Sequence, residues 1–245
     1  MSPVYQLPPA LRTSPERGVW VVIPAQDEAA SIAQVVATVR EHAEEVVVVD
    51  DASTDDTAML AAAAGARVIR LVNSLDAWGA TQAGLRYALH HGARIVVTLD
   101  ADGQHPAGCL PRIVAPILAG ESDVVIGSDP SRVSRQRHWA WRYLRALTRL
   151  QVHDLTSGYR AYGLQAVRCL SDERASLLNY QDVGVLMLLR TAGFRMVEVP
   201  VTMGPRWSGK SRVFRSWFKV AAYLLESSVL GLAQLGSRPA AGKGA

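Results

Sequence analysis

The chain has 245 residues, of which 49% are hydrophobic and 20% are charged. This is the composition of a globular protein, and it excludes a largely disordered chain or a fibrous repeat. The two cysteines, Cys109 and Cys169, form no CxxC pair, so the sequence provides neither a disulfide framework nor a cysteine-built zinc site, and a reduced, intracellular setting is expected.

Hydrophobic patterning predicts alternating strands and helices in the first half of the chain. Strands are expected at residues 18–23, 46–49, 67–71, 95–99 and 124–126, and helices at 28–41, 56–64, 81–91 and 110–119. Continuous apolar strands such as 46–49 require a sheet that is covered on both faces. The fold class is therefore α/β, with a mostly parallel, doubly wound sheet.

After about residue 130 the pattern changes. Helices are predicted at residues 139–152, 164–170 and 182–192, extended segments at 156–162 and 195–201, and a loop at 204–212. An amphipathic helix is expected over residues 213–235. The ends, residues 1–17 and 236–245, are expected to be mobile.

Charge is unequally distributed between the two halves. Residues 1–129 contain 8 Lys and Arg against 16 Asp and Glu, whereas residues 130–245 contain 18 against 6. An acidic half suits a divalent cation, and a basic half suits phosphate, nucleic acid or an anionic membrane surface. No secretory signal is recognised at residues 1–15. The longest apolar run, residues 220–235, contains Glu226 and is shorter than the roughly 20 residues of a spanning helix, so a soluble or peripheral protein is expected.

Acidic residues follow three of the predicted strands: Asp27 and Glu28, Asp50 and Asp51, and Asp100 and Asp102. Ligands of a doubly wound sheet bind beyond the carboxyl ends of its strands, so these positions are candidates for chemistry. Two carboxylates one residue apart, with the neutral oxygen of Gln104 nearby, suit Mg²⁺ or Mn²⁺. Acidic residues at strand ends are also common as helix caps and turn formers, so the pattern alone leaves both interpretations open.

The acidic run after the second strand is predicted to serve two purposes. Ser53, Thr54 or Asp55 is expected to cap the following helix, which leaves Asp50 and Asp51 to accept hydrogen bonds from a nucleotide base or ribose. No GxGxxG follows the first strand. The segment GPRWSGKS at 204–211 has the spacing of GxxxxGK[ST], but it lies in the predicted loop at 204–212 and lacks the strand-to-helix context of a phosphate loop. A Rossmann dehydrogenase and a P-loop NTPase are therefore disfavoured.

Five segments carry a resemblance to a known family: VVIPAQDEAASI at 21–32, VVVVDDASTDDT at 46–57, TLDADGQHP at 98–106, DLTSGYRAY at 154–162 and EVPVTMGPRWSGKS at 198–211. In this order they resemble the family 2 glycosyltransferases of the GT-A fold. The last two are similar to signatures of the polyprenyl-phosphate glycosyltransferases related to dolichol-phosphate mannose synthase. The resemblance covers roughly residues 21–211 and implies a GT-A-like catalytic domain at 18–212, with a nucleotide-sugar and metal half at 18–129 and an acceptor half at 130–212.

The resemblance also implies an inverting transfer from a nucleotide-diphosphate sugar with Mg²⁺ or Mn²⁺ as cofactor. The residues that it places around the nucleotide sugar are Pro24, Ala25, Glu28, Asp50, Asp51, Asp100 and Ala101. The residues that it assigns to the metal are Asp100, Asp102 and Gln104, and Asp102 is a catalytic candidate because the bound cation stabilises charge on the departing nucleoside diphosphate.

The basic half suits an acceptor that carries a phosphate. Arginines 132, 135, 137, 142, 145 and 149 lie in one stretch without acidic residues, and a second such stretch contains Arg206, Lys210, Arg212, Arg215 and Lys219. Unmixed positive charge favours phosphate and lipid headgroups over an ordinary solvated face. The resemblance makes Arg206 and Lys210 a clamp for the acceptor phosphate. Arg160 is a further candidate, or it only holds its strand to the core.

The chemistry of the acceptor decides whether a general base is needed. A lipid phosphate arrives ionised, whereas a sugar hydroxyl must lose a proton. Asp182 is the candidate base, although it equally suits the N-terminal charge of the following helix. The expected partners are a nucleotide-diphosphate sugar and a polyprenyl phosphate at the cytoplasmic membrane face, without nucleic acid. The alternatives are transfer to a glycan hydroxyl in surface polysaccharide synthesis, and a basic membrane- or nucleic-acid-binding module on an inactive transferase fold.

Overall fold

A computed structural model describes residues 18–129, 142, 145, 148, 150–177 and 183–207. These residues form a seven-stranded sheet whose strands, in chain order, are β1 Val19–Ala25, β2 Glu45–Asp50, β3 Arg67–Arg70, β4 Ile95–Thr98, β5 Val124–Ser128, β6 Arg160–Gly163 and β7 Met196–Pro200. The spatial order is β3-β2-β1-β4-β6-β5-β7. Strands β3, β2, β1 and β4 are mutually parallel, and β7 is parallel to β5. The mostly parallel α/β sheet predicted from the sequence is confirmed.

Strand β6 runs in the opposite direction to its neighbours. It pairs antiparallel with β4, with Thr98 opposite Arg160, and antiparallel with β5, with Ile126 opposite Arg160. An extended segment was expected at residues 156–162, but its place inside the sheet was not. The strand therefore brings the start of the second half of the chain between two strands of the first half.

The helices cover both faces of the sheet, as expected for a doubly wound fold. Their bounds are α1 Ile32–Arg40, α2 Thr57–Ala63, α3 Asp76–His90, α4 Leu110–Leu118, α5 Leu164–Ser171 and α6 Val183–Thr191. Helices α1, α2 and α4 contribute to one buried apolar cluster, and α3, α5 and α6 contribute to the other. Consecutive residues of β1, such as Val21 and Val22, enter opposite clusters.

Helix α3 lies unusually close to the sheet. A Cβ atom on Gly84 would overlap the side chain of Val22 and would come within 3.0 Å of Val49. The helix also begins at Asp76, five residues before the predicted start at residue 81. The predicted start lies too far along the chain because residues 73–76 show no apolar periodicity. The start of the helix depends instead on a carboxylate that is distant in sequence and is described below.

Several sequence predictions concern residues outside the described ranges. These are the termini at 1–17 and 236–245 and the amphipathic helix at 213–235. The predicted helix at 139–152 is wrong at its end, because residues 150–152 are not helical. None of the helices within the described ranges combines the length and the apolar composition that crossing a bilayer requires.

Candidate functional site

The loops after β1 and β2 are joined to each other by hydrogen bonds. The backbone N of Asp27 donates to Ser53 Oγ at 2.9 Å, and the backbone N of Thr54 donates to Asp27 Oδ1 at 2.8 Å. Glu28 N donates to Thr57 Oγ1 at 2.8 Å. Because the parent strands are adjacent and parallel, both loops leave the same edge of the sheet. They form one fixed surface at its carboxyl end.

The N-cap residue of α2 is Asp56, which makes no side-chain capping bond, and among the three predicted caps the residue that contacts the helix start is Asp55. Its Oδ1 accepts a hydrogen bond from the backbone N of Thr57, the first residue of α2, at 3.0 Å. Ser53 instead accepts a bond from the β1 loop, and Thr54 donates to Asp27. Asp55 also joins the two loops, because its Oδ2 accepts a hydrogen bond from the backbone N of Ala29 at 3.1 Å.

Asp50 and Asp51 are buried, and their carboxylates bind groups of the protein. Asp50 Oδ2 accepts from Arg70 Nε at 3.2 Å, while Asp50 Oδ1 accepts from the backbone N of Ser53 at 3.2 Å. Asp51 Oδ2 accepts from Ser74 Oγ, and Asp51 Oδ1 from the backbone N of Leu75, both at 2.7 Å. The Asp51 contacts position the loop before α3, a role that the sequence did not predict. A contact of Asp50 or Asp51 with a base stays a prediction.

The acidic turn, residues 100–105, follows β4. Asp102 is 2% exposed, and its Oδ1 accepts a hydrogen bond from Gln104 N at 3.0 Å. Gly103 has a φ of 78°, in the left-handed region that favours glycine. The backbone N of Asp100 donates to His105 Nδ1 at 3.0 Å, which makes Nδ1 an acceptor. The turn therefore fixes the Asp102 carboxylate and the backbone of Asp100 at the carboxyl edge of the sheet.

The Asp100 carboxylate lies against the backbone of a second segment. A Cβ on Gly158 would stand 2.7 Å from Asp100 Oδ1, so glycine at this position leaves room for the carboxylate. The Asp100 side chain is 46% exposed. Partial desolvation raises the pKa of Asp100, as does the charge of Asp102, while His105, Arg206 and Arg160 oppose the shift. Two adjacent carboxylates in such surroundings favour a cation beside them.

Arg206 is the cation that this structure places there. Its Nη2 lies 2.7 Å from Asp102 Oδ2, and its Nη1 lies 3.8 Å from Glu28 Oε1. The sequence predicted Arg206 as part of an acceptor clamp, together with Lys210. In the structure Arg206 contacts the predicted metal and nucleotide residues, and Lys210 lies outside the described residues.

The segment that carries Arg206 is attached to the acidic turn by its backbone. Gly204 N donates to Gln104 O at 2.9 Å, and Trp207 N donates to Asp102 O at 3.1 Å. A Cβ on Gly103 would overlap the Trp207 ring, so the indole lies directly over this glycine. Trp207 was a residue that sequence reasoning missed as part of the site. The sequence signal for its role was that Trp207 directly follows Arg206.

The other predicted site residues have the following placements. Arg160 is completely buried, and its Nη2 donates to the carbonyl oxygen of Leu155 at 3.1 Å. In this conformation it anchors β6 to the core, the second of its two predicted roles. Pro24 and Ala25 form the end of β1, and Ala101 is buried in the acidic turn. Asp182 lies outside the described residues.

The donor groups of the acidic turn fit a hard divalent cation. Asp100 and Asp102 provide carboxylate oxygens, and Gln104 provides an amide oxygen, the chemistry that Mg²⁺ and Mn²⁺ prefer. Within the described residues no group of three or more His, Cys, Asp and Glu side chains forms a complete metal site. Asp100, Asp102 and Gln104 could therefore hold a cation only together with further ligands.

Comparison with known proteins gives a consistent result. The model of the family described as glycosyl transferase family 2 matches residues 20–171. The undecaprenyl-phosphate mannosyltransferase of Micrococcus luteus is 34% identical over 147 residues, covering 55% of this chain and 59% of the relative. The polyprenol monophosphomannose synthase of Mycolicibacterium smegmatis is 31% identical over 157 residues, covering 58% and 59%. The matched part thus spans about three fifths of each of these curated relatives.

A solved structure resembles the fold. Glucosyl-3-phosphoglycerate synthase from Mycobacterium tuberculosis, in complex with Mn²⁺, uridine-diphosphate-glucose and phosphoglyceric acid, has a TM-score of 0.66 at 24% identity. The similarity covers 89% of this chain and 79% of that chain. The GT-A-like fold predicted from the sequence motifs is confirmed.

Proposed function

Because the chain belongs to glycosyl transferase family 2, we propose that it transfers a sugar from a nucleotide-diphosphate sugar to a polyprenyl phosphate, with inversion at the sugar. The observation that carries the proposal is the acidic turn, which holds Asp100 and Asp102 at the carboxyl edge of the sheet beside Arg206. The names of both curated relatives, which join mannose to a polyprenyl lipid, support the lipid acceptor.

The nucleotide would lie over the ends of β1 and β2. Ala25 is opposite Asp50 in the parallel pairing, and Pro24 precedes it, so these residues border one surface with Glu28. Asp51 holds the loop before α3 at the side of this surface. Pro24, Ala25, Glu28, Asp50 and Asp51 therefore remain our proposed nucleotide contacts, with Asp100 and Ala101 nearer the diphosphate.

We assign Asp100, Asp102 and Gln104 to Mg²⁺ or Mn²⁺. The cation, when bound, would stabilise the negative charge that develops on the departing nucleoside diphosphate. The role of the protein is to hold the two carboxylates at a fixed spacing. It does so through the Gln104 N to Asp102 bond and the space that Gly158 leaves for Asp100.

The acceptor phosphate would be bound by the cations of the second half, Arg206 and Lys210. An ionised phosphate attacks without losing a proton, so a lipid acceptor places no demand on Asp182. A glycan hydroxyl acceptor would require a base, and Asp182 would then be the candidate. For the lipid acceptor we propose a peripheral location at the cytoplasmic face of the membrane, to which the excess of basic residues after residue 130 would contribute.

The proposal is tested by radiolabel transfer. The full chain is incubated with undecaprenyl phosphate, Mn²⁺ and, in separate reactions, labelled GDP-mannose, UDP-glucose and UDP-N-acetylglucosamine. We expect label from one donor in the butanol-extractable lipid fraction, and none after EDTA or in Asp102→Asn. Asp123→Asn, which removes an acid far along the sheet from the acidic turn, is the matched control and should retain activity.

Other outcomes identify the alternatives. Label that enters only a soluble or polysaccharide fraction would favour transfer to a glycan hydroxyl. Vesicle or nucleic-acid binding without turnover of any donor would favour the inactive binding module. Either result contradicts the proposed acceptor.

A further inference from the structure

Both carboxylate oxygens of Asp102 have partners within the protein. Oδ1 accepts from Gln104 N at 3.0 Å, and Oδ2 is paired with Arg206 Nη2 at 2.7 Å. The Asp102 side chain is 3% exposed, whereas that of Arg206 is 26% exposed. The pair therefore combines a buried anion with a cation that reaches it from the surface.

The position of Arg206 is imposed by its segment. The backbone bonds of Gly204 and Trp207 to the acidic turn, with the Trp207 ring over Gly103, hold Arg206 between them. At its start the same segment is attached elsewhere, because Met203 N donates to Asp129 Oδ2 at 2.9 Å, beyond the end of β5. The segment is thus attached at two separate places, by Met203 to Asp129 and by residues 204–207 to the acidic turn.

We propose that Arg206 acts as a competing cation that occupies Asp102 until a divalent metal displaces it, and that this exchange frees the guanidinium for the acceptor phosphate. The inference rests on the proposed function, since it uses the assignment of Asp102 to the metal. It adds an order of events, in which the acceptor clamp becomes available after the metal has bound.

The physical reason is competition for one oxygen. A guanidinium at hydrogen-bond distance from Asp102 Oδ2 occupies the lone pairs that a divalent cation would use, and two cations at this distance repel each other. Released from Asp102, the planar guanidinium can bind phosphate oxygens in a bidentate manner. Without the metal, the same pairing keeps the buried Asp102 charge compensated.

The first test measures Mn²⁺ alone, by the electron paramagnetic resonance signal of the free ion, in the full chain without nucleotide. Arg206→Gln removes the competing cation and should bind Mn²⁺ at least about tenfold more tightly than the wild type, since a hydrogen bond to a charged group contributes about 1.5–3 kcal/mol. Arg70→Gln is the matched control, because it removes the same charge from another arginine that is paired with a buried aspartate at the end of a strand.

Three outcomes are distinguishable. A gain in Arg206→Gln that exceeds the gain in Arg70→Gln supports the exchange. Equal gains in the two variants would reflect net charge alone and would overturn it, as would unchanged affinity in Arg206→Gln. If no variant binds Mn²⁺, both the metal assignment of the proposed function and this inference fail.

A second test follows the segment itself. Mg²⁺, which does not quench fluorescence paramagnetically, should change the tryptophan emission of the wild type as Trp207 leaves Gly103. Trp207→Phe should abolish that change while it keeps Mg²⁺ binding measurable by calorimetry. Mg²⁺ binding without any change in emission, or an unaltered change in Trp207→Phe, would contradict movement of the segment.

Discussion

The Asp51 carboxylate accepts a hydrogen bond from the backbone N of Leu75 at 2.7 Å, across 24 residues of sequence. Ser74 Oγ donates to the other oxygen of the same carboxylate. Leu75 is the residue immediately before α3, so the end of β2 determines where α3 begins. The loop after β2 and the start of α3 thus form one unit at the carboxyl edge of the sheet.

Asp51→Asn should test this unit. The substitution removes the negative charge and one acceptor oxygen, so the bonds from Ser74 and Leu75 lose their charge-assisted character, and we expect a loss of about 1–3 kcal/mol in the free energy of unfolding. Urea unfolding measures the loss. Ser74→Ala removes only the hydroxyl contact and is the control. An Asp51→Asn effect no larger than that of Ser74→Ala would show that the Leu75 bond contributes little.

Trp78→Phe should destabilise the contact between α3 and the segment after α5. The indole Nε1 of Trp78 donates to the carbonyl oxygen of Ala175 at 2.7 Å in a buried environment. Phenylalanine keeps most of the apolar contact but leaves that carbonyl without its donor, which costs about 1–3 kcal/mol. Trp20→Phe is the same substitution and is expected to cost less, since the Trp20 ring makes aromatic contacts that a phenylalanine ring can also make. Comparable losses in thermal or urea unfolding would argue against a hydrogen-bond effect.

Gly158→Ala should impair the acidic turn without unfolding the protein. The added Cβ would stand 2.7 Å from Asp100 Oδ1, so the carboxylate must shift. We expect Mn²⁺-dependent affinity for the nucleotide-sugar donor to fall by about tenfold or more, because metal sites depend on ligand position. Isothermal titration of the donor with and without Mn²⁺ measures this. Gly108→Ala, where no atom lies within 4 Å of the added Cβ, should bind as the wild type does; equal affinities in both variants would refute the packing argument.

The ion pair between β5 and β7 should give a defined pH dependence of stability. The Arg195 guanidinium holds the pKa of Asp123 below its usual value. Stabilisation by a lowered carboxyl pKa is complete above the unfolded value of about 3.9 and is lost as the pH falls through the lower folded value. Arg195→Gln should therefore be less stable than the wild type at pH 7, by a small amount because this pair is exposed and screened by solvent. The two unfolding curves should converge below about pH 4; a constant difference down to about pH 2 would disprove the assignment.

The sequence predicted local elements better than the relations between distant ones. Continuous valines at 46–49 and alternation with helical periods indicated the strands of the first half, because those patterns depend on burial at each position. The antiparallel direction of β6 was not predicted, since strand direction depends on how the whole chain returns to the sheet. The acidic turn was recognised from local spacing and the family motifs. Its pairing with Arg206, more than a hundred residues later, has no local signature.

The insertion of β6 has a consequence for how the protein is made. In the described sheet β5 hydrogen-bonds only to β6 and β7, which are synthesised after it. During translation β5 therefore has no strand to join until residues 160–163 have left the ribosome, and β4 keeps an open edge for the same period. The acidic first half and the basic second half cannot complete their sheet separately. Completion of the sheet is therefore a late event, and a chain that ends between the two halves would expose a strand edge prone to self-association.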